Sequence, residues 1–146
     1  MLAWDHPAHE AEMHARWLLL LLAASPAGAE VLTFESEDSN IRCSLADRPG
    51  GGDLYCVIAT TDAAPAEPRP EDCVLDWGNS FFMTDSGEVQ ILCEMVQPNL
   101  GAGTRVPAGT TVRSGAFSCT ATEGAIDCRN GKGHGFFLSR ASQRVF

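Results

Sequence analysis

His134 is the residue best suited to acid–base chemistry, because it is the only histidine after His14 and an imidazole titrates near neutral pH. A small hydrolase would use it with a carboxylate that orients the ring, from Asp76 or Asp127. No G-x-S-x-G motif or other nucleophile–base set accompanies it. Strand alternation places it on the same face as Phe136. We therefore expect a partly buried, structural histidine and a chain that is not an enzyme.

The glycines around this histidine, in Gly131-Lys132-Gly133-His134-Gly135, do not form a nucleotide site. A Walker motif needs four residues between its first glycine and the Gly-Lys pair, and here they are absent. Gly133 and Gly135 fit a strand bend or close strand packing, with an anion-binding nest of N–H groups as the alternative. No cofactor is expected.

Trp77, in Asp76-Trp77-Gly78, is the only tryptophan after Trp17. An exposed tryptophan is suited to stacking on a sugar ring, whereas a buried one anchors a core. Its position near Cys73 favours the core anchor, and a sugar platform is the alternative.

Six cysteines follow residue 30 and none precedes it. No two of them form a C-x-x-C pair, and a single histidine accompanies them, so neither a zinc nor an iron–sulfur site is expected. Three disulfides are the better interpretation for an exported chain. The cysteines are Cys43, Cys56, Cys73, Cys93, Cys119 and Cys128.

Two hairpins predict how four of the cysteines pair. Glu123-Gly124 is suited to a two-residue turn, which sets Cys119 opposite Cys128 at a non-hydrogen-bonded position with Cα atoms about 4.5 Å apart. In the other hairpin, pairing Cys43 with Cys56 places the apolar residues of the first strand on one face.

Cys73 and Cys93 remain for the third disulfide. A turn at Thr84-Asp85-Ser86-Gly87 folds residues 80–83 back on residues 88–92 between these two cysteines. The sequence thus predicts Cys73–Cys93 by elimination.

Strand-like segments recur from Val31 to Leu138, separated by breaks rich in Gly, Pro and Asp. No segment has a clear 3.6-residue apolar period, so helix is expected to be minor. The fold class predicted is all-β, a small disulfide-linked antiparallel sandwich or barrel. Residues 61–72 suit an extended crossover, and residues 97–110 a surface loop.

A leucine-rich run precedes this β domain. The apolar segment from Trp17 to about Ala24 is too short to span a bilayer, and Ala27 and Ala29 have the A-x-A spacing of a signal-peptidase site. We expect residues 1–29 to be a signal peptide, with Met13 as the true start because an acidic segment precedes it, and residues 30–146 to be one domain without a membrane anchor. The expected location is periplasmic or secreted.

Charge limits the partners of this domain. Nine basic and sixteen acidic residues give residues 30–146 a net charge of about −7. This sign repels phosphate backbones and anionic headgroups, so nucleic acid is excluded as a partner. An envelope or extracellular protein, or a glycan, is expected instead.

The pattern resembles a family of small exported bacterial six-cysteine domains of unknown function. Its most specific part runs from Cys128-Arg129-Asn130 to Gly133-His134-Gly135-Phe136, and the resemblance covers nearly all of residues 30–146. The resemblance implies export and a disulfide-linked β domain, and it supplies no catalytic residue. Further residues that carry it are 39–43, Cys73, 76–78, Cys93, 115–119, 124–127, Ser139 and Arg140.

Three functions remain open. The leading hypothesis is a non-enzymatic exported binding module. The alternative is an inhibitor of a basic exported enzyme such as a lysozyme, since periplasmic lysozyme inhibitors are also small acidic β domains and Ser114-Gly115 is similar to their Ser-Gly motif. The third is a hydrolase that uses His134.

Exported protein should begin at Glu30, because the peptidase site lies directly before it. Intact mass and N-terminal sequencing of protein recovered outside the cytoplasm check this. A product that retains Trp17 to Leu22 contradicts the prediction and implies a membrane anchor.

Overall fold

The computed structural model describes Gly28 and residues 30–97 and 103–146. Nearly all of the predicted signal peptide lies outside these residues and stays a prediction. The described chain forms eleven strands and no helix, so it also contains no helix able to cross a membrane. The strands are β1 (Glu30–Glu35), β2 (Ile41–Asp47), β3 (Asp53–Ile58), β4 (Ser80–Thr84), β5 (Gln90–Leu92), β6 (Thr104–Arg105), β7 (Thr111–Ser114), β8 (Phe117–Thr122), β9 (Ala125–Arg129), β10 (Gly135–Ser139) and β11 (Gln143–Val145).

The strands form two sheets that pack face to face, which makes the fold an all-β sandwich. The first sheet has the order β5-β4-β3-β2-β1-β6, and the second has the order β11-β10-β9-β8-β7. All neighbouring strands are antiparallel except β1 and β6. Inward residues of both sheets form one apolar core, in which Phe81 of the first sheet lies 5.5 Å from Phe136 of the second.

Both predicted hairpin registers are present. In β2 and β3, Cys43 lies opposite Cys56, and the pairs Ile41↔Ile58 and Leu45↔Leu54 flank it. In β8 and β9, Cys119 lies opposite Cys128 across a turn in which Gly124 has φ +66°. The Cα atoms of the two cysteine pairs are 4.1 and 4.0 Å apart, as closely facing non-hydrogen-bonded positions require.

The two hairpin disulfides lie against each other at the centre of the sandwich. The Sγ atoms of Cys43, Cys56 and Cys128 are all within 4.8 Å of one another. This is the only grouping of metal-type ligands among the described residues, and all three sulfurs are already bonded in disulfides. The cluster is therefore a packing contact between the sheets.

The third disulfide joins Cys73 to Cys93, which confirms the pairing predicted by elimination, and the two Cα atoms are 5.8 Å apart. It lies outside the strands and joins two irregular segments. The turn at residues 84–87 has the predicted position, and the N–H of Gly87 donates to Thr84 Oγ1 at 3.0 Å. Three disulfides indicate an oxidising, extracytoplasmic compartment.

Two connections differ from the sequence prediction. Residues 59–79 join β3 to its neighbour β4, so they are an excursion and not a crossover. The crossover follows β5, since β5 and β6 lie at opposite edges of the first sheet. The expected loop at residues 97–110 contains β6 and the buried Val106, although residues 98–102 lie outside the described part. Two residues are too few to show the apolar–polar alternation of a strand, so the sequence pattern does not predict β6.

Reductant in the absence of denaturant should open Cys73–Cys93 first. Cys93 is exposed, whereas the four cysteines of the two central disulfides are at most 1 % exposed, and thiolate attack needs access to sulfur. Timed alkylation with peptide mass mapping measures the order. In guanidinium the three bonds should open at similar rates, and early labelling of the central cysteines in folded protein contradicts the prediction.

Candidate functional site

The signature segment from Cys128 to Phe136 forms the turn between β9 and β10, and Asn130 organises it. Asn130 is 6 % exposed. Its Oδ1 accepts the N–H groups of Lys132 and His134 at 3.0 and 3.1 Å. Its Nδ2 donates to the carbonyl oxygens of Thr84 and Gly87 at 3.0 and 2.7 Å. One amide therefore ties this turn of the second sheet to the β4–β5 turn of the first.

Steric constraints explain why two positions of the signature segment are glycine. Gly133 has φ +84°, in the left-handed region that favours glycine. A Cβ on Gly135 would overlap the carbonyl oxygen of Cys128 and lie 2.9 Å from Cε2 of Phe146. The close strand packing expected from the sequence is thus present at Gly135. Phe136, the next residue, is a fully buried member of the core.

His134 lies at the end of this turn, one residue before β10. Its backbone N–H donates to Oδ1 of Asn130, and its backbone carbonyl oxygen accepts the N–H of Asn130. The half-buried side chain of His134 lines a cleft of about 290 Å³. The other residues that line this cleft are Glu67, Glu88, Val89, Val145 and Phe146.

Trp77 contributes to the same cleft indirectly. Its half-buried indole packs against the core, and its Nε1–H donates to the carbonyl oxygen of Glu67 at 2.9 Å. The structure therefore brings the segment held by Trp77 next to His134, through Glu67.

The carboxylates considered for a hydrolase are engaged elsewhere. Asp127 pairs with Arg129 at 3.2 Å, and Oδ2 of Asp76 accepts the N–H of Val96 at 2.9 Å. Within the described chain, no hydrogen bond joins either carboxylate to the imidazole of His134. Neither of the two carboxylates considered in the sequence analysis therefore orients His134, and the carboxylates that share its cleft are those of Glu67 and Glu88.

A surface that the sequence analysis missed lies on the two segments joined by the third disulfide. Val74, Leu75 and Met95 are 87 %, 43 % and 60 % exposed. We call these three residues the apolar loop surface. They flank cysteines in segments without strand alternation, and that combination was the signal available in the sequence.

Hydrogen bonds fix both segments of the apolar loop surface. Arg69 donates to the carbonyl oxygens of Cys73 and Leu75, and the N–H of Glu94 donates to the carbonyl oxygen of Asp76 at 3.2 Å. The Glu94 carboxylate also accepts the Tyr55 hydroxyl of β3. Burial, reinforced by this carboxylate, raises the pKa of Tyr55 above its usual value, so the phenol keeps its proton and continues to donate.

A second cavity, of about 440 Å³, lies along β11. No sequence pattern predicts it, because it forms between β11 and the excursion at residues 59–79. Its lining residues are Ala66, Asp127, Arg129, Gln143, Arg144, Val145 and Phe146.

Gly135→Val should destabilise the fold by roughly 3 kcal/mol, because the new side chain has no space beside Cys128. His134→Gln should cost at most about 1–2 kcal/mol, since its bonds to Asn130 are made by backbone. Urea unfolding followed by circular dichroism compares them. A hydrolytic activity that His134→Gln abolishes at unchanged melting temperature would contradict a structural role.

The comparisons with known proteins identify a family and no function. No curated protein and no solved structure matches the chain. A family model described as a family of unknown function, DUF6636, matches residues 15–146. This match includes every cysteine and the whole sandwich, so the chain belongs to the DUF6636 family of unknown function.

Proposed function

We propose that this protein is an exported, non-enzymatic binding module that docks on a basic partner protein through the apolar loop surface. Its signal peptide, residues 1–29, delivers the domain of residues 30–146 to the periplasm or the medium. The observation that carries the proposal is the exposure of Val74, Leu75 and Met95 on segments held by a disulfide.

Val74 and Leu75 are consecutive, and the hydrogen bonds of Glu94 and Val96 to Asp76 bring the segment that contains Met95 beside them. Grouped exposed apolar side chains are typical of protein contact sites. The disulfide and the bonds to Asp76 hold the segments in place before binding. Less conformational entropy is then lost on association, which favours affinity.

Charge around the surface favours a basic partner. Glu71, Asp72 and Asp76 are exposed beside Val74 and Leu75. The exported domain, residues 30–146, has a net charge of about −7, which adds long-range attraction for a cationic protein. The apolar loop surface, with these carboxylates beside it, fits a groove of a partner that has an apolar floor flanked by Lys and Arg.

Inhibition of a basic exported enzyme is the form of this function that the exposed apolar side chains favour. Such side chains are able to occupy the substrate groove of an enzyme, whereas a receptor for a small ligand needs a concave site. The Ser114-Gly115 pair, similar to the inhibitor motif, forms part of the β7–β8 turn, where Gly115 has φ +53°. The apolar loop surface is therefore the better candidate for the enzyme contact.

The triple variant Val74→Ser/Leu75→Ser/Met95→Ser should weaken binding to purified basic exported enzymes, lysozyme first, by at least about 100-fold. Calorimetry measures the affinity, and the wild-type affinity should fall as salt rises. Val31→Ser is the matched control, because Val31 is also apolar and 59 % exposed but lies on β1.

A cell-wall lysis assay separates the two forms of the proposal, inhibition of the enzyme and adhesion to it. Stoichiometric loss of enzyme activity supports inhibition, and binding without loss of activity supports adhesion. The proposal is wrong if the triple variant, with its disulfides intact, binds as tightly as wild type, or if no basic enzyme binds the wild type.

A further inference from the structure

β11 has an open backbone edge. It lies at the end of the second sheet, and among the described strands it pairs with β10 alone. Gly135 and Phe146 exchange both backbone hydrogen bonds, at 2.8 and 3.0 Å. Because bonding alternates along an antiparallel pair, the N–H and C=O groups of Gln143 and Val145 point away from β10, toward the open side.

The cavity of about 440 Å³ extends along this open edge. Val145 and Gln143 line it from the inner face of β11, and Ala66 lines it from the excursion. The N–H groups of Asp62 and Ala63 donate to the carbonyl oxygen of Arg140, which holds the excursion beside the start of β11. The open edge therefore faces a slot between strand and excursion, of a size typical of ligand sites.

Two guanidinium groups line the outer side of the slot. Arg129 stacks on the ring of Phe146 at 4.4 Å, and Arg144 stacks on the ring of Phe137 at 4.9 Å. Stacking fixes the plane of a guanidinium and leaves its N–H donors at the edges. Arg129 pairs with Asp127, whereas Arg144 has no carboxylate partner within the described part of the chain.

Gln143 leaves a buried acceptor in the wall of the slot. The residue is 8 % exposed, and its Nε2 donates to the carbonyl oxygen of Gly78 at 2.6 Å. Its Oε1 has no hydrogen-bond partner among the described residues. Since this oxygen is itself buried, it makes no contact with a molecule in the slot. The bond to Gly78 is what Gln143 contributes, because it ties β11 to the excursion.

We propose that an extended peptide segment with alternating apolar and acidic residues binds here by adding a strand to β11. Its backbone bonds to the open N–H and C=O groups of Val145, and alternate side chains lie on opposite faces. Acidic side chains then face Arg144, and apolar ones face Val145 and Ala66. This site is independent of the apolar loop surface and takes a partner of opposite charge.

A capped hexapeptide of alternating valine and glutamate is the probe, with calorimetry as the measurement. Val145→Pro removes an open-edge N–H and no bond to β10, so it should weaken binding about tenfold. Arg144→Gln should weaken binding of this peptide but not of its valine–glutamine analogue. Arg113→Pro is the matched control: it removes a guanidinium and an open-edge N–H from β7, on the opposite edge, and should bind as wild type.

Two further measurements keep the test decisive. Amide exchange at Val145 should slow when the peptide binds, because strand addition protects that N–H. An N-methylated peptide should bind wild-type protein at least about tenfold more weakly, even if Val145→Pro fails to fold. The proposal is overturned if the N-methylated peptide binds as tightly as the unmodified one, or if the unmodified peptide does not bind wild-type protein. It is also overturned if the wild-type protein is a dimer that Val145→Pro dissociates, because a second copy of the chain then occupies the edge.

Discussion

The contact between the two central disulfides is the constraint from which the rest of the sandwich follows. Cys43–Cys56 clamps β2 to β3, and Cys119–Cys128 clamps β8 to β9. Each bond fixes a hairpin register, and a register decides which side chains of a strand face inward. Because Sγ of Cys128 lies within 4.8 Å of both sulfurs of the Cys43–Cys56 bond, the two hairpins pack together at this point and the apolar faces of both sheets meet. The large side chains of the core then pack around this contact.

Buried amides fix the turns around this core. Asn130 joins the β9–β10 turn to the β4–β5 turn, and Gln143 joins β11 to Gly78. Asn40 exchanges two hydrogen bonds of 2.9 Å with the backbone of Thr60 after β3. A side-chain amide satisfies donors and acceptors where two chain segments meet without forming a ladder. Asn40 and Asn130 belong to segments that carry the family resemblance. Their role is therefore structural, since each joins two chain segments by hydrogen bonds.

The two surfaces proposed for binding lie where the chain leaves the sheets. The excursion at residues 59–79 supplies two of the three residues of the apolar loop surface and one wall of the slot along β11. The Cys73–Cys93 bond and the bonds of Arg69 and Asp76 hold this excursion without regular secondary structure. Charges near the two surfaces differ, with carboxylates beside Val74 and guanidiniums beside β11. The two proposals therefore concern separate surfaces with opposite local charge.

The sequence by itself determined the all-β class, the hairpin registers and the pairing of Cys43 with Cys56 and of Cys119 with Cys128, because period-2 alternation and tight turns are local. Tertiary structure decided what depends on distant segments. The two-residue strand β6 pairs with β1 far along the chain, and Trp77 reaches the cleft of His134 only through Glu67. The open edge of β11 had no local pattern, since it depends on which of the described segments lie beside that strand.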